Sequence, residues 1–149
     1  MLQLCTLAQK YADTLAETDT FQHSKDPVYG ENLYWSWSSD PGWELPGGEA
    51  VTSWYGEKRG YDYAEEPVDA ETGKDCISCT CTYTVYDTGH FTQMVWAQTH
   101  RLGVGLAKSK TTGKYITVMK YDPAGNYTSK YRENVFRPAN CGGKKILDL

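Results

Sequence analysis

Gly89-His90-Phe91-Thr92-Gln93-Met94-Val95-Trp96-Ala97-Gln98-Thr99 is the stretch on which the fold turns. His90 to Trp96 reads as a short buried helix, and Thr88 before it is the hydroxyl-bearing type that caps helix N-termini. Phe91 and Trp96 are assigned to the core. Downstream, Leu102-Gly103-Val104-Gly105-Leu106-Ala107 and Tyr115-Ile116-Thr117-Val118-Met119-Lys120-Tyr121 are β-rich. They flank Thr112-Gly113, a turn signal, and so predict a hairpin. Pro123-Ala124-Gly125-Asn126 turns the chain again, and an irregular tail follows.

Upstream, Leu4, Leu7, Ala8, Tyr11 and Leu15 recur every three to four residues, which marks one apolar face of an amphipathic helix. A polar link containing His23 leads to Gly30-Glu31-Asn32-Leu33-Tyr34-Trp35, a strand-like run. Ser38, Ser39, Asp40, Pro41, Gly42, Pro46, Gly47 and Gly48 predict a loop that also carries Trp37 and Trp43. Helical period resumes over Glu49–Glu57, with Ala50, Val51, Trp54 and Tyr55 on its apolar side. Residues 58–88 have no period and read as a long loop. Helices that bracket a small antiparallel sheet predict an α/β protein with a three-layer α-β-α sandwich.

The 149 residues amount to one domain. A formal charge of −4 argues against a nucleic-acid surface, which needs clustered cations to meet phosphates. The one small basic cluster, Lys144 and Lys145, reads as a solvated tail. Twelve Tyr and five Trp against three Phe favour rings that keep a polar tip in water, as half-buried walls and rims do. No stretch is apolar for long enough to span a bilayer, and Met1–Lys10 lacks the basic-then-apolar order of a signal peptide. The cysteines are Cys5, Cys76, Cys79, Cys81 and Cys141, an odd number that leaves at least one unpaired within the chain. Cys76-Ile-Ser-Cys79-Thr-Cys81 fits a zinc half-site, a redox pair or a disulfide staple. The missing fourth zinc ligand favours disulfides, with Cys141 as a partner.

Gly89–Thr99 closely resembles the first signature of the CAP family (cysteine-rich secretory, antigen-five and pathogenesis-related proteins; the SCP domain). Tyr121-Asp122-Pro123-Ala124-Gly125-Asn126-Tyr127 resembles the second. Gly30-Glu31-Asn32-Leu33 and Trp54-Tyr55-Gly56-Glu57 match two shorter family motifs in the same order, and the likeness runs from about Leu4 to Pro138. Pro123–Asn126 and Glu133-Asn134-Val135 point to its Golgi-associated branch. The resemblance implies a single CAP domain over residues 1–140 with a tail at 141–149, lacking the family's first helix. It departs from the pattern at Met119, where most secreted members carry cysteine, and in a longer loop between Glu57 and His90.

The resemblance also implies a cavity built on His23, Glu31, Glu57 and His90. His23 and His90 would ligate a divalent metal such as Zn2+ weakly, with Glu31 and Glu57 in support; the same four are the only candidates for catalysis. A network in which the four merely satisfy one another is the competing reading, favoured for Glu31. Trp35, Trp37 and Trp43 are the candidates for binding lipid or a partner. His100 is expected at the surface. Asn126-Tyr127-Thr128 is a formal glycosylation sequon, read instead as a structural turn.

Three functions follow as expectations. The first is a binding protein for a lipid, a sterol or an anionic membrane surface, with a defence or signalling role. The second is a weak metal-dependent hydrolase. The third is a protein-interaction domain that works through the cysteine-containing loop. A homodimer is an open possibility, and nucleic acid is not an expected partner. Clustered cysteines favour an extracellular location; the Golgi-type motifs give the cytosolic face of a membrane as the alternative.

Overall fold

The computed structural model describes residues 2–64 and 88–138. In chain order the elements are α1 (Leu2–Thr18), β1 (Gly30–Ser36), α2 (Glu49–Gly56) with a 3-10 turn directly after it (Glu57–Gly60), α3 (Gly89–Met94), β2 (Arg101–Lys108), β3 (Tyr115–Asp122) and α4 (Tyr131–Asn134). The strands form one antiparallel sheet of order β1-β3-β2, with Gly30 opposite Tyr121 and Ser36 opposite Tyr115 on one side of β3. On the other side Arg101 faces Asp122 and Lys108 faces Tyr115.

Side-chain alternation along β3 explains the layers. Ile116 and Val118 point to one face, where Leu33 and the α1 residues Ala8, Ala12, Leu15 and Ala16 close a core. Met119 and Tyr121 point to the other, against Ala50 and Trp54 of α2. Helices therefore cover both faces of the sheet, as the three-layer expectation required. A third cluster, Tyr61, Phe91, Trp96, Tyr131 and Val135, ties α3 to the chain beyond β3.

The approach of α1 is set by glycine. A Cβ on Gly103 would lie 2.2 Å from the backbone carbon of Leu4, and one on Gly105 would lie 2.4 Å from the backbone of Ala8. With alanines on the helix and glycines on the strand, the two backbones come into contact. Both sheet edges are covered in part by side chains. The Gln9 amide donates to Leu106 O at 2.8 Å and accepts from Leu106 N at 3.1 Å, in place of a neighbouring strand. The Trp54 indole N–H donates to Leu33 O at 3.2 Å.

The structure departs from the sequence reading in several places. Thr88 precedes α3 but makes no side-chain capping bond, because the Glu57 carboxylate takes that role. Val51 and Tyr55 stand exposed on α2, so its buried face is only Ala50 and Trp54. β1 extends one residue past the strand-like run, to Ser36. The tail contains α4, whose four residues are too few for a periodic pattern to show. His100 is exposed, and Phe91 and Trp96 are buried, as read. The Asn126 side chain donates to Gly89 O and accepts from the Thr92 hydroxyl, as a structural turn residue would. Cys76, Cys79, Cys81 and Cys141 lie outside the described residues, and Cys5 is a free, half-buried thiol.

Candidate functional site

A six-residue helix such as α3 has orphan N–H groups that need acceptors from elsewhere. Glu57, at the end of α2, supplies them: its Oε2 accepts from His90 N at 3.1 Å and Phe91 N at 3.0 Å. Its Oε1 lies 2.7 Å from His90 Nδ1. The His90 ring stacks on Trp54 with centroids 5.9 Å apart and planes 18° apart. The His90 carbonyl accepts from Asn32 Nδ2 at 3.0 Å, which ties α3 to the start of β1.

The second histidine is built the same way. His23 Nδ1 lies 2.8 Å from Glu31 Oε1, which also accepts from Ser24 N at 2.8 Å. Glu31 Oε2 forms an ion pair with Lys120 Nζ at 2.8 Å, off the angle of a hydrogen bond. Lys120 also donates to Ser24 Oγ at 2.6 Å. Glu31 pairs with Lys120 across β1 and β3, so backbone register brings the two charges together.

An ionised carboxylate only accepts hydrogen bonds. The geometry thus favours Nδ1–H on each ring, and a neutral ring so arranged has its Nε2 lone pair free. The side chains of His23 and His90 are 47% and 37% exposed, against 6% for Glu31 and 20% for Glu57. Carboxylate behind imidazole is how metal-binding histidines are oriented. Among the described residues no three His, Cys, Asp or Glu groups gather closely enough to hold a metal. Ser24 Oγ, beside His23 in sequence, accepts a hydrogen bond from Lys120 Nζ and makes none to either imidazole.

Glu31 and Asn32 are consecutive in β1 and point to opposite faces, so the two pairs lie at one end of the sheet on either side of that strand. Trp35, Trp37 and Trp43 lie at the other end. Trp35 follows Glu31 by about 14 Å of strand at about 3.4 Å per residue. Trp35 is 40% and Trp37 53% exposed. Trp43 packs edge-on to Tyr115 at 5.5 Å, Lys108 Nζ sits 4.6 Å from the Tyr115 ring, and Lys114 Nζ sits 4.9 Å from Trp35. The aromatic residues and the histidines therefore do not share one cavity.

Sequence reasoning missed Lys120, Ser24 and Asn32. Lys120 left a signal: it is the one charge within the otherwise apolar heart of β3.

Burial alone would raise the Glu31 carboxyl, but hydrogen bonds from His23 and Ser24 and the adjacent Lys120 ammonium outweigh it and hold the group at about 2. A carboxyl lowered in the folded state contributes stability above its unfolded value of 4.5 and loses it as pH falls toward 2. Glu31 should therefore contribute about 3 kcal/mol at neutral pH, lost across that window. Urea unfolding at pH 7 and pH 3 checks this: the wild type should lose more stability between them than Glu31→Gln does.

Residues 2–121 match the family model described as the cysteine-rich secretory protein family, CAP. The chain is 32% identical over 136 residues to the human Golgi-associated plant pathogenesis-related protein 1, covering 88% of this chain and 74% of that one. It is 33% identical over 124 residues to pathogenesis-related protein PRMS of Zea mays, covering 83% of this chain and 64% of that one. The solved structure of BmVAL-1 superposes with a TM-score of 0.62 at 27% identity, over 86% of this chain and 59% of that one. The chain thus spans less than two thirds of the maize protein and of BmVAL-1.

Proposed function

This chain belongs to the cysteine-rich secretory protein (CAP) family, and we propose on that premise that it is a binding protein that docks on lipid through the aromatic end of its sheet. The observation that carries the reading is the exposure of Trp35 and Trp37, with Trp43 and Tyr115 beside them. Indole rings lower their free energy at a lipid–water boundary, where the apolar body is covered and the N–H stays wet. The pathogenesis-related names of its relatives support a defence role. Among the described residues no helix is long and apolar enough to cross a membrane, so the contact proposed is with a surface or a single lipid. Tryptophan emission tests this: adding phosphatidylcholine vesicles should shift it to shorter wavelength. An unchanged spectrum at saturating lipid counts against the reading.

A second reading concerns the other end of the sheet. The two anchored imidazoles, each with Nε2 free, suit a weakly held divalent cation such as Zn2+. Calorimetric titration should show zinc binding in the wild type that disappears in His23→Ala/His90→Ala. Heat from the double variant equal to that of the wild type would remove the histidines from the site. A metal-dependent hydrolase would use the same two histidines, with metal-bound water as its nucleophile.

A further inference from the structure

We propose that Lys120 is a positioning residue for His23, acting through Glu31 to hold the imidazole as its Nδ1–H tautomer with Nε2 presented for a divalent cation. The cation part rests on the second reading above; the tautomer part does not.

Lys120 sits in the central strand with its side chain 3% exposed. Its ammonium reaches Glu31 Oε2 at 2.8 Å and Ser24 Oγ at 2.6 Å, lies 4.0 Å from Asp26 Oδ2, and stands 5.6 Å from the Tyr11 ring. Burying such a pair is a poor way to gain stability, because desolvation offsets much of the attraction and apolar side chains of similar volume do as well or better. What the pair does supply is direction. Glu31 has two oxygens, and Lys120 occupies the side of Oε2. Only Oε1 is left for the segment that precedes β1, and it takes both Ser24 N and His23 Nδ1 at 2.8 Å. Lys120 grips the same segment through Ser24 Oγ. Carboxylate and loop are thus fixed relative to each other, and the proton of a neutral His23 has one favourable place. Without the cation the carboxylate would be free to turn, and His23 would divide between its two tautomers.

The experiment is a long-range proton–nitrogen correlation of the imidazoles in 15N-labelled protein at about pH 8, where histidine is neutral. It is run on the wild type, Lys120→Met and Lys120→Arg, each followed by titration with zinc alone. The wild type should show His23 protonated at Nδ1. Lys120→Arg should retain that pattern, and Lys120→Met should give mixed tautomers with His90 unchanged. Zinc affinity in Lys120→Met should drop about tenfold, the low end of what outer-shell changes cost. A wild-type His23 protonated at Nε2 would overturn the proposal without any variant, so a Lys120→Met protein that does not fold leaves it testable. A folded Lys120→Met with an undisturbed Nδ1–H tautomer would overturn it as well. If the wild type binds no zinc, the cation reading fails and the tautomer result alone decides the role of Lys120.

Discussion

Gly105→Ala should destabilise the domain by about 3 kcal/mol, the upper part of the range for an overpacked site. The new methyl would stand 2.4 Å from the backbone C and O of Ala8 and from Gln9 N. These are main-chain atoms of a helix, and no rotamer change moves them aside. Either α1 lifts from the sheet or β2 bends. Lifting α1 would open the core of Ala8, Ala12, Leu15 and Val118 and break the two Gln9 bonds to Leu106. Gly105 does not have positive φ, unlike Gly48 and Gly113, so the cost is one of packing and not of backbone strain. Gly47→Ala is the matched control, because its added methyl meets nothing within 4 Å. Urea unfolding of the two variants should separate them clearly. Equal stabilities would mean that α1 does not rest on β2 as described.

Trp54→Ala should cost about 4 kcal/mol, in the range for removing a fully buried tryptophan. Trp54 is 2% exposed and fills the layer between α2 and the face of β3 that carries Met119 and Tyr121. Its loss would also leave Leu33 O without the indole donor and His90 without its stacking partner. Trp54→Phe separates these contributions: it keeps a ring in the layer and loses the hydrogen bond, at about 1 kcal/mol for that bond. The measurement is again equilibrium unfolding. An alanine variant within 1 kcal/mol of the wild type would contradict the packing described for this layer.

The residues that announced the fold did so through period and punctuation. Leu4, Ala8 and Leu15 gave α1 its apolar stripe, and Thr112-Gly113 placed the hairpin turn where Gly113 adopts φ 72°. Local pattern did not reveal which residues make long-range bonds. Thr88 looked like the cap of α3, yet a carboxylate more than thirty residues upstream holds its N–H groups. Nothing near Glu57 in sequence indicates that. The His23–Glu31 pair spans eight residues and the His90–Glu57 pair 33, and both rested on family resemblance until geometry showed each histidine facing its own carboxylate. Lys120 went unread because a lysine in a strand normally marks a solvent-facing position, whereas this one lies inside beside Glu31. The distance of the three tryptophans from the histidines depends on strand direction, which only the sheet register fixes.

The most direct test of the lipid-docking account is vesicle co-sedimentation of the wild type and of Trp35→Ser/Trp37→Ser. Neither ring contributes to the buried core, so the double variant should unfold at nearly the wild-type urea concentration. Covering an exposed indole with lipid contributes on the order of 1–2 kcal/mol. Losing two such contacts should weaken binding at least tenfold. Equal binding by the folded double variant and the wild type would contradict the assignment of the aromatic end as the lipid-docking surface.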